Sequence, residues 1–348
     1  MPQTEKENLG AGAGLAGAVA LESGVELGEI EVKARGYWEQ VWRRFKKDKI
    51  AIAGGITIVF LILLAFIGAP IAKALLGHGP NDLFYTALNS QGQPIGPWAH
   101  VPDPADPSKT VFLPLGADST LGRDEFLRLL YGAQVSFEVA ILATFGSISI
   151  GVMLGAIAGY FRGWPDTIVS RITEITMAFP ALLFIIALAS TVGDSLNNIT
   201  FHGLFGRGVF TLFLIFTLFG WFYPARIIRA VVLSLREKEF VEAARMVGSS
   251  DVRIIRSHIL PHLIAPIIVY ATLAVASFIL GEAGLSYLGV GIKLPTASWG
   301  NLLQQASDYY TTQPWLMVWP GLAVLITTLS FNLLGDGLRD AFDPRSTH

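Results

Sequence analysis

Residues 226–262 read RIIRAVVLSLREKEFVEAARMVGSSDVRIIRSHILPH, and the fold turns on how this stretch is read. Seven basic side chains (Arg226, Arg229, Arg236, Lys238, Arg245, Arg253 and Arg256) alternate with four acidic ones (Glu237, Glu239, Glu242 and Asp251). On either side, 208–225 and 263–281 contain no charged residue. An ionised side chain at the centre of a bilayer costs roughly 2.5–3.5 kcal/mol on an insertion scale. The island is therefore expected in water beside a membrane, and its excess of positive charge favours the cytoplasmic side.

Within the island, 236–247 is rich in helix formers, with Phe240, Val241, Ala244 and Val247 at helical spacing. Gly248 stands where a left-handed cap ends a helix. Ser249 or Ser250, with Asp251, can cap a second short helix through Ile254, Ile255 and His258. Pro261 is expected to end that turn and lead into the next span. The product is a helix–Gly–helix elbow on the membrane face.

Working outward, the chain of 348 residues is 52% hydrophobic and 15% charged, against about 25% charged in a soluble domain. This is the composition of an all-α polytopic membrane protein. Six spans are expected, at about 50–72, 139–161, 175–193, 208–225, 263–281 and 312–335, most of them within the ~17–25 residues that cross hydrocarbon. Nineteen of the 25 Lys and Arg residues then fall on one side; only Lys73, Lys109, Arg123, Arg128, Arg207 and Lys293 fall on the other. That asymmetry predicts both termini in the cytoplasm. No cysteine is present, which excludes disulfides and thiolate metal sites.

Residues 1–36 begin acidic, turn Gly/Ala-rich and do not read as a secretory signal; a flexible cytoplasmic tail is expected. Tyr37, Trp38, Trp42 and Phe45 among Arg43, Arg44, Lys46 and Lys47 predict a helix in the membrane interface, so that 37–72 forms one unit with the first span. Nucleic-acid binding is the rival use of such a patch, but a span starts at once at Ile50 and no separate basic domain exists. An extracytoplasmic loop is expected over 73–134, irregular through the Gly-, Pro-, Asn- and Asp-rich 77–110. Five spans and the loop 226–262 make up 135–337, and 338–348 is a cytoplasmic tail. Gly151, Gly155 and Gly159 allow close helix packing. Glu282, at the outer end of the fifth span, is a candidate pathway or gating residue.

Four segments resemble one family. Glu242-Ala243-Ala244, Gly248 and Leu260-Pro261 are similar to the coupling loop of ABC-importer permeases, in the His-Ile-Leu-Pro form of the peptide branch. Leu115-Gly116, Asp118, Gly122-Arg123-Asp124 and Arg128-Leu129-Leu130-Tyr131-Gly132 resemble a second signature of that branch, with Ala117 where Thr is usual. Glu282 to Gly289 with Ser298-Trp299-Gly300-Asn301, and Gly335 to Arg345 with Phe342 where Leu is common, supply the others. The resemblance implies a type I ABC importer permease of the dipeptide, oligopeptide and nickel branch. It also implies a second homologous permease, two cytoplasmic ABC ATPase subunits, an extracytoplasmic substrate-binding protein and a cytoplasmic (inner) membrane location.

No Gly-Lys pair occurs, so no phosphate-cradling loop exists and no catalytic or cofactor site is expected. The expected role is a non-catalytic subunit that carries di- or oligopeptides. A nickel permease is the alternative in the same branch. An ATP-independent transporter or channel is the alternative in another class, and would need buried charge in the spans. In the coupling loop, Ala243 and Ala244 are assigned to close packing and Gly248 to the bend. Glu242 would bond or cap within the loop, and Pro261 would fix its re-entry.

Overall fold

The computed structural model describes residues 36–196, 198–200, 203 and 205–343. The expected tail thus lies outside the described residues except for its last position, as do residues 344–348. Of the described residues, 36–41 belong to one unit and 42–343 to the other.

Helix α1 runs Tyr37–Phe45. Trp42 stacks on Phe45 and carries Lys46 over its face at 5.1 Å, which puts aromatic and cationic groups together as an interfacial helix requires. Asp48 then caps α2 (Lys49–Leu63), its carboxylate accepting from the Ile50 and Ala51 N–H groups at 3.0 Å. A π turn over Leu64–Gly68 continues α2 into α3 (Ala69–Leu76).

Residues 77–124 are more ordered than their composition suggests. Strands β1 (Ala99–Pro102) and β2 (Thr110–Leu113) pair antiparallel, with His100 opposite Phe112. Phe84, Ala87, Val101, Leu113 and Ala117 close a small core beneath them. The expectation of irregular structure fails here because Gly and Pro mark the turns of a compact unit whose apolar residues are few and scattered.

Helix α4 (Glu125–Phe161) is the centre of the bundle. Its 37 residues extend ~55 Å, far beyond the ~30 Å of hydrocarbon. Helices α5 (Gly163–Ala178) and α6 (Ala181–Leu196) follow, bent by 87°. Pro180 removes a donor and holds Phe179 extended, at φ −88 and ψ 143, so the expected third span is a broken pair. Next come α7 (Val209–Gly220) and α8 (Phe222–Leu235), which together form one candidate span. The fourth span was expected to end at 225; the helix runs ten residues further because nothing after Pro224 breaks it.

The elbow comprises α9 (Glu239–Met246) and α10 (Asp251–Arg253). A π turn at Ile254–Ile259 joins α10 to α11 (Leu260–Tyr287) without a break. Pro261 therefore does not end a turn, as expected; it lies in the first turn of α11, where the wide π turn makes room for its ring. Helix α12 (Trp299–Ala306) and α13 (Trp315–Phe342) complete the chain. Among the described residues, five helices or joined helices are long and apolar enough to cross a membrane, or six with the bent α5–α6 pair counted as one span.

Helix α4 meets α8 through glycine. A Cβ at Gly151 would lie 2.6 Å from the Pro224 ring, one at Gly155 2.5 Å from the Ala225 carbonyl oxygen, and one at Gly159 2.8 Å from the Arg229 carbonyl oxygen. The backbones touch directly, as small residues permit in lipid.

Beyond the opposite end of α4, charged side chains are buried. Asp118 takes Arg123 at 2.6 Å and Arg128 at 2.8 Å, while Arg123 also donates to Gln305 and Arg128 to Asn81. His78 meets Asp124 at 2.8 Å, and Asp124 also caps α4 through the Phe126 N–H. Burial opposes charging of the His78 ring. The Asp124 carboxylate and the Leu76 carbonyl outweigh that opposition and raise its pKa above the ordinary 6.5.

Gly155→Val should force α4 from α8 and cost about 1–3 kcal/mol, read as a lower melting temperature in detergent. Gly321→Ala, whose Cβ would have only Leu303 at 4.0 Å, should be neutral or better. Because the folded pKa of His78 is raised, its stabilisation is complete below the unfolded value and fades as pH climbs through the folded one. Limited proteolysis within 77–124 should accordingly quicken from pH 5.5 to 8.5, and His78→Gln should flatten that dependence.

Candidate functional site

The elbow owes its shape to the end of α9. Gly248 sits at φ +84; its N–H donates to the Arg245 carbonyl at 2.9 Å, and the Ser249 N–H to the Ala244 carbonyl at 3.0 Å. These two bonds make a Schellman cap, which places a left-handed residue at this position. A Cβ at Gly248 would meet nothing within 4 Å, so the demand on this residue is conformational.

The elbow has a buried root and an exposed tip. Val241, Ile254, Ile259 and Leu263 are wholly buried against Ala156 and Tyr160 of α4 and Ile228 and Val232 of α8. Met246, Val247 and Val252, around the Gly248 turn, are 83%, 86% and 73% exposed. Three large apolar side chains are thus exposed together at one turn. Ala243 is exposed beside them, whereas Ala244 is half-buried and packs on the root. Glu242, expected to bond or cap within the loop, presents its carboxylate to solvent; among the described residues it makes no side-chain bond. Leu260 lines an apolar groove of about 740 Å³ between α4 and α11, with Pro261 exposed next to it.

Tyr160 and Asp166, which spacing did not single out, help fasten the elbow and its neighbouring helices together. The Tyr160 hydroxyl donates to Asp251 at 2.6 Å, and Arg245 lies over the Tyr160 ring at 5.3 Å. Arg236 donates to the Tyr160 carbonyl. Asp251 is thus held by an aromatic 91 residues away, and Ser250 caps α10 by position without a side-chain bond. Arg229 pairs with Asp166, one of its contacts at 2.8 Å, joining α8 to the start of α5. Only the aromatic character of Tyr160 at a helix end could have hinted at this.

Glu282 lies far along α11 and is fully buried. Its carboxyl oxygens accept from Ser136 of α4 at 2.6 Å and from Ser286 at 2.7 Å, and Ser298, the cap of α12, adds a further bond. No cation pairs with it among the described residues. Trp299 closes the junction against Phe137.

The chain is matched among known proteins. Residues 151–348 fit the family described as binding-protein-dependent transport system inner membrane component, and residues 36–92 fit the N-terminal TM domain of oligopeptide transport permease C. The chain belongs to this permease family. The permease is 37% identical over 317 residues to the dipeptide transport system permease protein DppC of Alkalihalophilus pseudofirmus, covering 91% of this chain and 93% of that one. It is 34% identical over 310 residues to the glutathione transport system permease protein GsiD of Pectobacterium atrosepticum, covering 88% and 91%. The GsiD protein of Escherichia coli is 35% identical over 315 residues, covering 90% and 92%. A chain solved in inward-facing conformations of the MetNI methionine ABC transporter superposes with a TM-score of 0.50 at 18% identity, covering 63% of the permease and 97% of that chain. That last likeness concerns the fold alone. The permease is accordingly a multi-pass inner-membrane component of an ABC importer, which works with ATPase and substrate-binding partners.

Tyr160→Phe should cost about 0.5–1.5 kcal/mol, the net worth of one hydrogen bond, measured as a shift in the denaturation midpoint. Asp251→Ala in the Tyr160→Phe background should then cost less than it does alone, since the two residues share that bond.

Proposed function

We propose that this permease carries di- or oligopeptides into the cell and takes its driving force through the elbow at 239–256. Relatives named for dipeptide and glutathione transport support the substrate class. The observation that carries the coupling role is the exposed apolar turn of Met246, Val247 and Val252 on a wholly buried root. A closing ATPase that grips the turn moves α9 and α10, and the continuous π turn passes the motion into α11. On this reading Ala243, Glu242 and the Gly248 turn face the ATPase. Ala244 packs the elbow on the bundle, and Leu260-Pro261 sets the angle of re-entry. Glu282 gates by holding α4, α11 and α12 together at the outer end while the inner ends swing.

The elbow end is cytoplasmic, both termini with it, and the β1–β2 unit is extracytoplasmic, as the Lys and Arg asymmetry requires. A second homologous permease completes the pathway, and two ATPase subunits dock, one on each elbow. Turning an inward/outward equilibrium from 1:99 to 99:1 takes about 5.5 kcal/mol of differential interaction, which nucleotide-driven closure can deliver. The structure does put Asp166, Arg171, Glu174, Arg226 and Arg229 on helices of candidate spans, closer to membrane than expected. Among the described residues, Asp166 with Arg229 and Arg171 with Glu174 are already ion pairs.

Gly248→Leu should leave insertion intact and abolish peptide uptake together with substrate-stimulated ATP hydrolysis. Gly248→Asn, which accepts a left-handed backbone, should retain most of both. Near-normal uptake by the Leu variant would remove the elbow from the mechanism.

A further inference from the structure

Between α5 and α8, at the elbow end of the bundle, lies a cleft of about 440 Å³. Asp166, Ser170, Arg171 and Glu174 of α5 line it, with Arg226 and Arg229 of α8. Helix α5 is split by polarity: these residues turn to the cleft, and Ile168, Ile172 and Ile175 are exposed on its other side. Charged groups on a membrane helix face protein or water, not lipid, so the cleft is hydrated.

The charges within it are unevenly committed. Asp166 is held by Arg229 at 2.8 Å and receives Ser170 as well. Glu174 pairs with Arg171, but the two side chains are 62% and 72% exposed, and such pairs open at little cost. Arg226 makes no hydrogen bond or ion pair among the described residues. One uncommitted guanidinium and one loosely held carboxylate therefore share a wet cleft of the volume that ordinary small-ligand sites have.

We infer that this cleft is a transit site for a zwitterion, with Arg226 receiving the terminal carboxylate of the substrate and Glu174 its ammonium group. The inference rests on the peptide reading above, since a free peptide carries both charges. A guanidinium offers two parallel N–H donors to a carboxylate, which fixes orientation as well as charge. The acidic walls argue against a phosphate: Asp166 and Glu174 repel a dianion, whereas Glu174 suits an ammonium. Exposure keeps both contacts weak, as release to the cell interior demands.

The permease has no cysteine, so Ser170→Cys gives a single reporter thiol in this chain. The complete transporter, reconstituted in vesicles, would be assayed for ATP-driven uptake of a dipeptide and for reaction of that thiol with an anionic methanethiosulfonate. Dipeptide with ATP should slow the labelling. Arg226→Gln should remove that protection and raise the dipeptide concentration for half-maximal uptake about tenfold, with Arg226→Lys recovering part of it. If Arg226→Gln fails to assemble, protection in the Ser170→Cys transporter decides alone. Uptake with no protection, or protection and uptake unaltered in Arg226→Gln, would overturn the site and leave the peptide reading standing. Protection that follows the anionic lipid content of the vesicle would overturn it in favour of a headgroup. Absence of dipeptide uptake by the unsubstituted transporter would instead overturn the substrate reading.

Discussion

Direct backbone contact between α4 and α8 is the constraint on which the rest of the bundle depends. Lipid supplies no hydrophobic drive between helices, so association rests on close packing and on polar bonds. Gly151, Gly155 and Gly159 bring α4 within reach of the α8 backbone along three turns. That approach sets Tyr160 beside Asp251 and Arg236, and Arg229 beside Asp166. The root of the elbow is built on the same two helices, so its position follows from their contact.

The two ends of the bundle are held in different ways. At the far end, Asp118, Arg123, Arg128 and the Asp124–His78 pair lie buried, bonded to loop residue Asn81 and to Gln305 of α12. Glu282 and its serines tie α4 to α11 and α12 just below. A buried charge left without its partner is costly, so this end resists opening. At the elbow end the ion pairs are partly or largely exposed, and an apolar turn stands in solvent.

Much of this was legible in residue order. Charge segregation located the spans and the elbow, because the penalty for charge in hydrocarbon acts on each residue regardless of its neighbours. Gly248 was legible as a cap because helix termination is local. Span ends were read less well. A window of uncharged residues stops at Arg226, but the α8 helix continues because nothing after Pro224 breaks it, and Arg229 on that extension pairs with Asp166 on α5. Pro261 misled for a related reason: its ring breaks a regular helix, and the π turn over Ile254–Ile259, just before it, makes room for it. The β1–β2 unit was missed because its strands are four residues each and its core is assembled from distant positions.

The sequence by itself determined that the chain is a polytopic helical membrane protein with a charged elbow, and it placed the chain in its family through four spaced motifs. These properties are sums over single residues or short local patterns, so they survive without knowledge of contacts. Only the tertiary structure decided that Tyr160 holds the elbow, that Glu282 is bound by serines of three segments, and that Arg226 lines a cleft in which it makes no bond among the described residues. Each of these depends on which side chains meet across 60 to 150 residues of chain. Helix packing distances decide such meetings, and a local pattern does not encode them.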